Sequence, residues 1–132
     1  MDGRAATDDE RGSSPVEFVL VGALLTVLTL AVLQLGLAVY VRNVVHDAAV
    51  EGAHYAALAD ATLADGADRT RAVITASVGA DYADAITVEQ SDRLGHATAV
   101  VTVRTTLPLI GLLGISHGLE VQADAPLESF DE

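Results

Sequence analysis

The sequence contains no cysteine and no lysine, and its three prolines leave positions 16 to 107 without one. Without cysteine there are no disulfides, no thiol chemistry and no cysteine-ligated metal, and the redox compartment stays open. Without lysine, all seven basic charges are arginine, against 19 acids. Residues 42 to 132 alone hold five Arg and fourteen Asp or Glu, a net of −9. A region this acidic repels nucleic-acid phosphates and anionic lipid headgroups, which argues against both as partners. A phosphate-cradling glycine loop is also missing. The groups Asp60, Asp65, Asp68 and Asp81, Asp84 lack the alternating ligands and central glycine of a calcium loop.

Charge itself is absent from Phe18 to Val41, a run of 24 positions dominated by Leu, Val and Ala. As a helix rising ~1.5 Å per residue it would be roughly 36 Å long, enough to cross a ~30 Å hydrocarbon core with some tilt. It has no polar face to turn toward water, so the expectation is a transmembrane helix. A cleaved secretory signal is the competing reading. Its apolar core would be shorter and would end in a small-x-small site, whereas this run ends Ala38-Val39-Tyr40-Val41-Arg42. Arg4 and Arg11 precede the helix and Arg42 follows it, which places the N-terminus inside and the rest outside.

Glu17 stands at the mouth of this run, five residues after Gly12. A carboxylate deep in a bilayer costs about 2.5–3.5 kcal/mol on insertion scales, so it needs the interface or a partner. An ordinary signal anchor with Glu17 in the headgroup layer satisfies that condition. So does a shared arrangement in which a neighbour supplies a cation.

Beyond Val41 the apolar period continues. Val41, Val45, Ala48, Gly52, Tyr55, Ala59 and Leu63 recur at three- and four-residue steps, with Asn43, Asp47, Glu51 and His54 on another stripe. One long helix is therefore expected to end near Asp65-Gly66. The small residues Ala48, Gly52, Ala56 and Ala59 permit close approach, either of the chain's own C-terminal strands or of another helix. A second helix is expected over Ala67 to Val78, started by Asp65 or Asp68, ended at Gly79, and turning Val73, Ile74, Ser77 and Val78 inward.

The period then becomes two. Ala99, Val101, Val103 and Leu107 alternate with polar residues, as do Leu119, Val121, Ala123 and Ala125 before Pro126, and a shorter strand is expected at Ala85 to Glu89. The link from Pro108 to Ile115 is apolar: it either folds under the sheet or presents greasy surface to a partner or the membrane. The scarcity of other large apolar side chains favours burial. The fold class is thus α+β, with a long N-terminal helix (transmembrane half plus amphipathic half), a short second helix and a small antiparallel three-stranded sheet.

Arg11-Gly12-Ser13-Ser14-Pro15-Val16-Glu17-Phe18 resembles the processing site of type IV prepilin-like proteins. Together with Leu37-Ala38-Val39-Tyr40-Val41-Arg42-Asn43 and Asp47-Ala48-Ala49-Val50-Glu51-Gly52-Ala53-His54-Tyr55-Ala56-Ala57, the chain is similar to the TadE-like family of tight-adherence pilus systems. The resemblance implies a pilin-like pseudopilin cut by a prepilin peptidase between Gly12 and Ser13. Glu17 would then pair with the new Ser13 amine of a sister subunit. Val16, Phe18, Leu20 and Leu24 would lie at helix–helix contacts, and pilus platform proteins would be further partners. The implied division is a leader at 1–12, a transmembrane helix at 13–42, an extracytoplasmic domain at 43–126 and a disordered tail at 127–132. The leader's net charge of −2 departs from the basic leaders usual in this class. The length exceeds that of the very short major pilins and favours a minor role.

Chemistry has few footholds. Asp47, Glu51 and His54, with His46 adjacent, carry metal-ligand side chains, but no second ligand-rich segment is spaced to complete a site. Ser116, His117 and His96 show no acid–nucleophile register. No cofactor or enzymatic activity is expected. A membrane-anchored binding module that never assembles is the alternative reading, and a tethered enzyme using His46 and His54 is another.

Overall fold

A computed structural model describes residues 9–108 and 115–128. Helix α1 runs unbroken from Asp9 to Ala57, 49 residues. At ~1.5 Å per residue it is a rod of roughly 73 Å. It begins within the expected leader and carries Pro15 near its start, where the missing N–H removes one bond of the helical ladder. Past Pro15 no proline or cap interrupts it. Its first half is exposed all round, and its second half gains a buried face of Val41, Val45, Ala48, Ala49, Gly52, Ala53, Ala56 and Ala57. The expected inward Tyr55 and Ala59 are instead exposed.

The helix ends at Ala57 rather than near Gly66. The reason is a capping box that the apolar period conceals. Thr62 is extended (φ −109°, ψ 164°), and its Oγ1 accepts from the Asp65 N–H at 3.2 Å. The Asp65 carboxylate reaches back to the Thr62 N–H at 2.8 Å. This pair satisfies orphan donors at the start of a new helix, so α2 covers Leu63–Ser77, a turn earlier than expected. Asp65 acts at the third helical position while Thr62 is the cap. Gly79 follows the helix with φ +112°, a conformation that disfavours side chains, and leads into a 3-10 turn at Ala80–Tyr82. Thr70 and Ile74 are fully buried on the inner side of α2, while the expected inner Ser77 is exposed.

Helices α1 and α2 cross at four small residues. Gly52 and Ala56 face Gly66 and Thr70, and the buried Thr70 hydroxyl donates to the Gly66 carbonyl at 2.9 Å. The small stripe on α1 therefore receives a helix as well as the sheet. Arg69 of α2 also reaches Glu51 of α1, its Nε 2.8 Å from Oε1.

Strands β1 (Ala85–Ser91), β2 (Thr98–Leu107) and β3 (Ile115–Pro126) form an antiparallel sheet in the order β1-β2-β3. The register sets Ile86 beside Val103, Val103 beside Val121, and Val101 beside Ala123. The resulting apolar face closes on α1 and on Ile74 of α2. The opposite face is polar, with Arg104 Nε donating to Glu120 Oε2 at 2.7 Å. This bond and the attraction behind it hold the Arg104 guanidinium above its ordinary pKa. A register shift separates Thr105 from Leu107. The apolar link beyond Pro108 falls at 109–114, outside the described residues. Leu127 and Glu128, expected in a loose tail, are tied down: their N–H groups bond Ala97 O and Ala57 O, each at 2.9 Å.

Candidate functional site

The exposed half of α1 is the feature that a soluble fold cannot explain. Phe18 is 79 % exposed, and the residues after it to Leu33 form an apolar cylinder exposed on every side, the rest of the fold first closing on the helix at Gln34 and Ala38. Among the described residues one helix is long and apolar enough to cross a membrane, and none of its most apolar window is buried. A helix that reads as core yet has no core around it needs an apolar surrounding from elsewhere.

Polar groups inside this cylinder are handled locally. Thr26 and Thr29 donate to the carbonyls of Gly22 and Leu25, each at 2.8 Å, so neither hydroxyl needs an outside partner. Gln34 is different. Its Oε1 is buried and has no hydrogen-bond partner among the described residues.

The residues expected to carry processing and assembly all lie in the first turns of α1 and are all exposed. Helical spacing places Ser13, Val16, Glu17, Leu20 and Leu24 on one stripe, at steps of three and four. Phe18 falls about 140° from Ser13 around the axis and does not share that stripe. Glu17 thus points the same way as the apolar side chains that follow it. A Cβ on Gly12 would meet nothing within 4 Å.

The other candidates separate. Glu51 is taken by Arg69, and His54 Nδ1 lies 2.8 Å from the carbonyl of Val50 in its own helix. Among the described residues no group of three or more His, Cys, Asp or Glu side chains converges. Asp65 belongs to the cap, and Asp68 pairs with Arg71 at 3.2 Å. His96 is exposed, and the side chains of Ser116 and His117 lie outside the described set. Two features escaped the sequence reading: the Thr62/Asp65 box, signalled by Thr-x-x-Asp, and the meeting of Gly66-x-x-x-Thr70 with Gly52-x-x-x-Ala56.

Comparison with protein families returns a match to the model described as TadE-like protein over residues 12–54, about a third of the chain. Over that segment the chain is similar to the TadE-like family. The TadE-like segment opens at Gly12, contains the whole exposed apolar cylinder, and continues into the face that packs on the sheet. The strands lie beyond the match. No curated protein and no solved structure matched the chain. The TadE-like match and the uncovered helix together fit a pilin-like protein held by a single membrane anchor.

Proposed function

We propose that this TadE-like chain is a minor pilin or pseudopilin of a tight-adherence, type IV-like pilus, processed by a prepilin peptidase after Gly12. The observation that carries this reading is the placement of Glu17: one stripe holds Ser13, Glu17 and the exposed Leu20 and Leu24, at the entrance of a helix that the rest of the fold leaves bare. Cleavage creates an α-amine at Ser13. An amine on one subunit and Glu17 on the next neutralise each other where each alone is costly in lipid. Pro15 assists the cut, because a peptidase must unwind the helix around Gly12 and the proline has already removed a hydrogen bond there. The leader stays inside, residues 43–126 form the outer domain, and platform proteins of the pilus receive the helix.

N-terminal sequencing of the membrane-extracted protein, from cells that hold the peptidase, tests the reading. The expected first residue is Ser13. A chain still beginning at Met1 overturns processing. In-membrane cross-linking through α1 distinguishes a subunit from a solitary binding module, since only the subunit has sister helices within reach.

A further inference from the structure

Two stretches of the chain go without Asp, Glu or Arg for longer than any other: Phe18 to Val41 on α1, and Thr105 to Gly118 at the end of the β2–β3 hairpin. The first ends at Arg42. The second is bounded by Arg104 and Glu120, which are register partners and ion-paired at 2.7 Å. The fold brings these boundaries to one height, because residues 120–122 of β3 run beside Arg42, Asn43 and His46 of α1. Charge therefore ceases on the helix and on the hairpin at a common level. Tyr40, just before Arg42, marks it further, since tyrosine favours the level of lipid headgroups.

The hairpin points past that level. Its open end is tied to the top of α1, where the Glu128 N–H bonds Ala57 O and the Leu127 N–H bonds Ala97 O. Its other end, where Leu107 pairs with Ile115, is directed down the rod toward the apolar half. From Glu120 to Ile115 there are five strand steps of ~3.3 Å, roughly 17 Å. On the helix, Ala38 is buried and Gln34 half-buried, whereas every residue from Gly12 to Leu33 is exposed. At ~1.5 Å per residue these two positions lie about 6 and 12 Å beyond Arg42. The fold thus accompanies α1 below its first charge, and the hairpin is the element that heads there.

We propose that Thr105–Leu107 of β2 and Ile115–Gly118 of β3 enter the membrane beside α1, as a second contact with lipid. The neighbouring helix is the membrane span, so lipid is what surrounds the protein at this height. Composition agrees: the run from Thr105 to Gly118 is uncharged and mostly apolar inside a region whose net charge is −9. With no Arg in the run, anionic headgroups add nothing, and the contact is apolar and insensitive to salt. Backbone chemistry limits the depth. The β1–β2 ladder stops at Ala85 and Arg104, so the outer edge of Thr105–Leu107 has no strand beside it among the described residues. Unpaired N–H and C=O groups are costly in hydrocarbon, which keeps this end at the boundary of headgroups and acyl chains, the ~5–10 Å reached by interfacial segments. The proposal rests on the membrane anchor and is independent of leader cleavage and pilus assembly.

The absence of cysteine allows single cysteines to be introduced and spin-labelled. Thr102 and Thr106 share the outward side of β2, one on each side of Arg104. The full chain is reconstituted at one copy per phosphatidylcholine nanodisc, labelled at Leu28, Thr102 or Thr106. Accessibility to oxygen, divided by accessibility to a water-soluble nickel chelate, reads lipid against water. The ratio at Thr106 should be several-fold above that at Thr102 and below that at Leu28, and molar salt should leave it unchanged. Equal ratios at Thr102 and Thr106, with Leu28 in lipid, overturn the hairpin contact and leave the anchor standing. Leu28 in water overturns both. Shielding of Thr106 that requires several chains per disc gives the surface to a sister copy and overturns lipid as its occupant. A photoactivatable phosphatidylcholine repeats the test on the unlabelled chain, where no label can disturb the fold. It should mark the peptide that trypsin releases after Arg104, and an unmarked peptide overturns the proposal.

Discussion

Gly52 and Gly66 meet backbone to backbone where α1 crosses α2. A Cβ added to Gly52 would lie 2.8 Å from the Gly66 carbonyl oxygen and would overlap the Thr70 hydroxyl; one added to Gly66 would lie 2.5 Å from the Ala56 Cβ. Neither neighbour has room to move, since Thr70 is fully buried and its hydroxyl is already bonded.

Gly52→Ala should therefore destabilise the outer domain by about 1–3 kcal/mol, the usual range for overpacking a filled site. Thermal unfolding of the detergent-solubilised chain measures it. Gly22→Ala is the contrast, because a Cβ there meets nothing within 4 Å. That variant should unfold at the parental temperature. An unchanged midpoint in Gly52→Ala contradicts the tight crossing.

Glu17→Ala should leave cleavage after Gly12 largely intact while impairing assembly. The side chain is exposed and touches nothing that the domain needs. N-terminal sequencing reads the first effect, and the yield of sheared surface filaments reads the second. Normal filaments in this variant remove the pairing of Glu17 with a neighbouring amine.

Thr62→Ala should cost about 1 kcal/mol through loss of the helix cap. The same change alters the acid limb of stability. Hydrogen bonds from the Thr62 hydroxyl, and then from its backbone N–H, hold the Asp65 carboxyl below the ordinary carboxylate range. A lowered folded-state pKa stabilises above the unfolded value, and the contribution fades as pH falls through the folded value. In the parental chain this contribution is present at neutral pH and is lost only at strongly acid pH. In Thr62→Ala it should be diminished throughout, which urea titrations at neutral and acid pH would reveal as a flatter pH profile.

Gln34→Leu should preserve or raise stability, by about 1 kcal/mol at most. The buried Gln34 Oε1 makes no hydrogen bond among the described residues, and replacing such an atom with an apolar group removes a desolvation penalty. A loss of domain stability in this variant would show that the amide has a partner that holds the fold together. If stability holds and only assembly falls, the partner belongs to another chain.

The strands were the most legible part of the sequence, because Val101, Val103, Val121 and Ala123 alternate cleanly and only one side of the sheet meets a core. The membrane half of α1 was equally plain from its missing charge. The end of α1 was not, since Ala59 and Leu63 keep the helical period while Thr62 breaks the backbone. Periodicity reports which side chains are apolar; it does not register a hydroxyl that caps the next helix. Tyr55 misled for a related reason. An aromatic residue in phase with Ala48 and Gly52 reads as inward, yet the buried face follows the small residues Ala49, Ala53, Ala56 and Ala57, because α2 and the sheet come too close for a ring. Of the processing stripe, the spacing of Gly12 and Glu17 was visible, but the separation of Phe18 from it emerges only when the turns are counted around the axis.

From Val16 to Ala57 the long helix has no joint. Whatever grips its lower part also steers its upper part, like a hand turning a key. Rotating the bottom by some angle swings the β-sheet through nearly the same angle, since nothing between them can absorb the twist. The compass bearing of the outer domain is thus decided by which flank of the buried shaft is held.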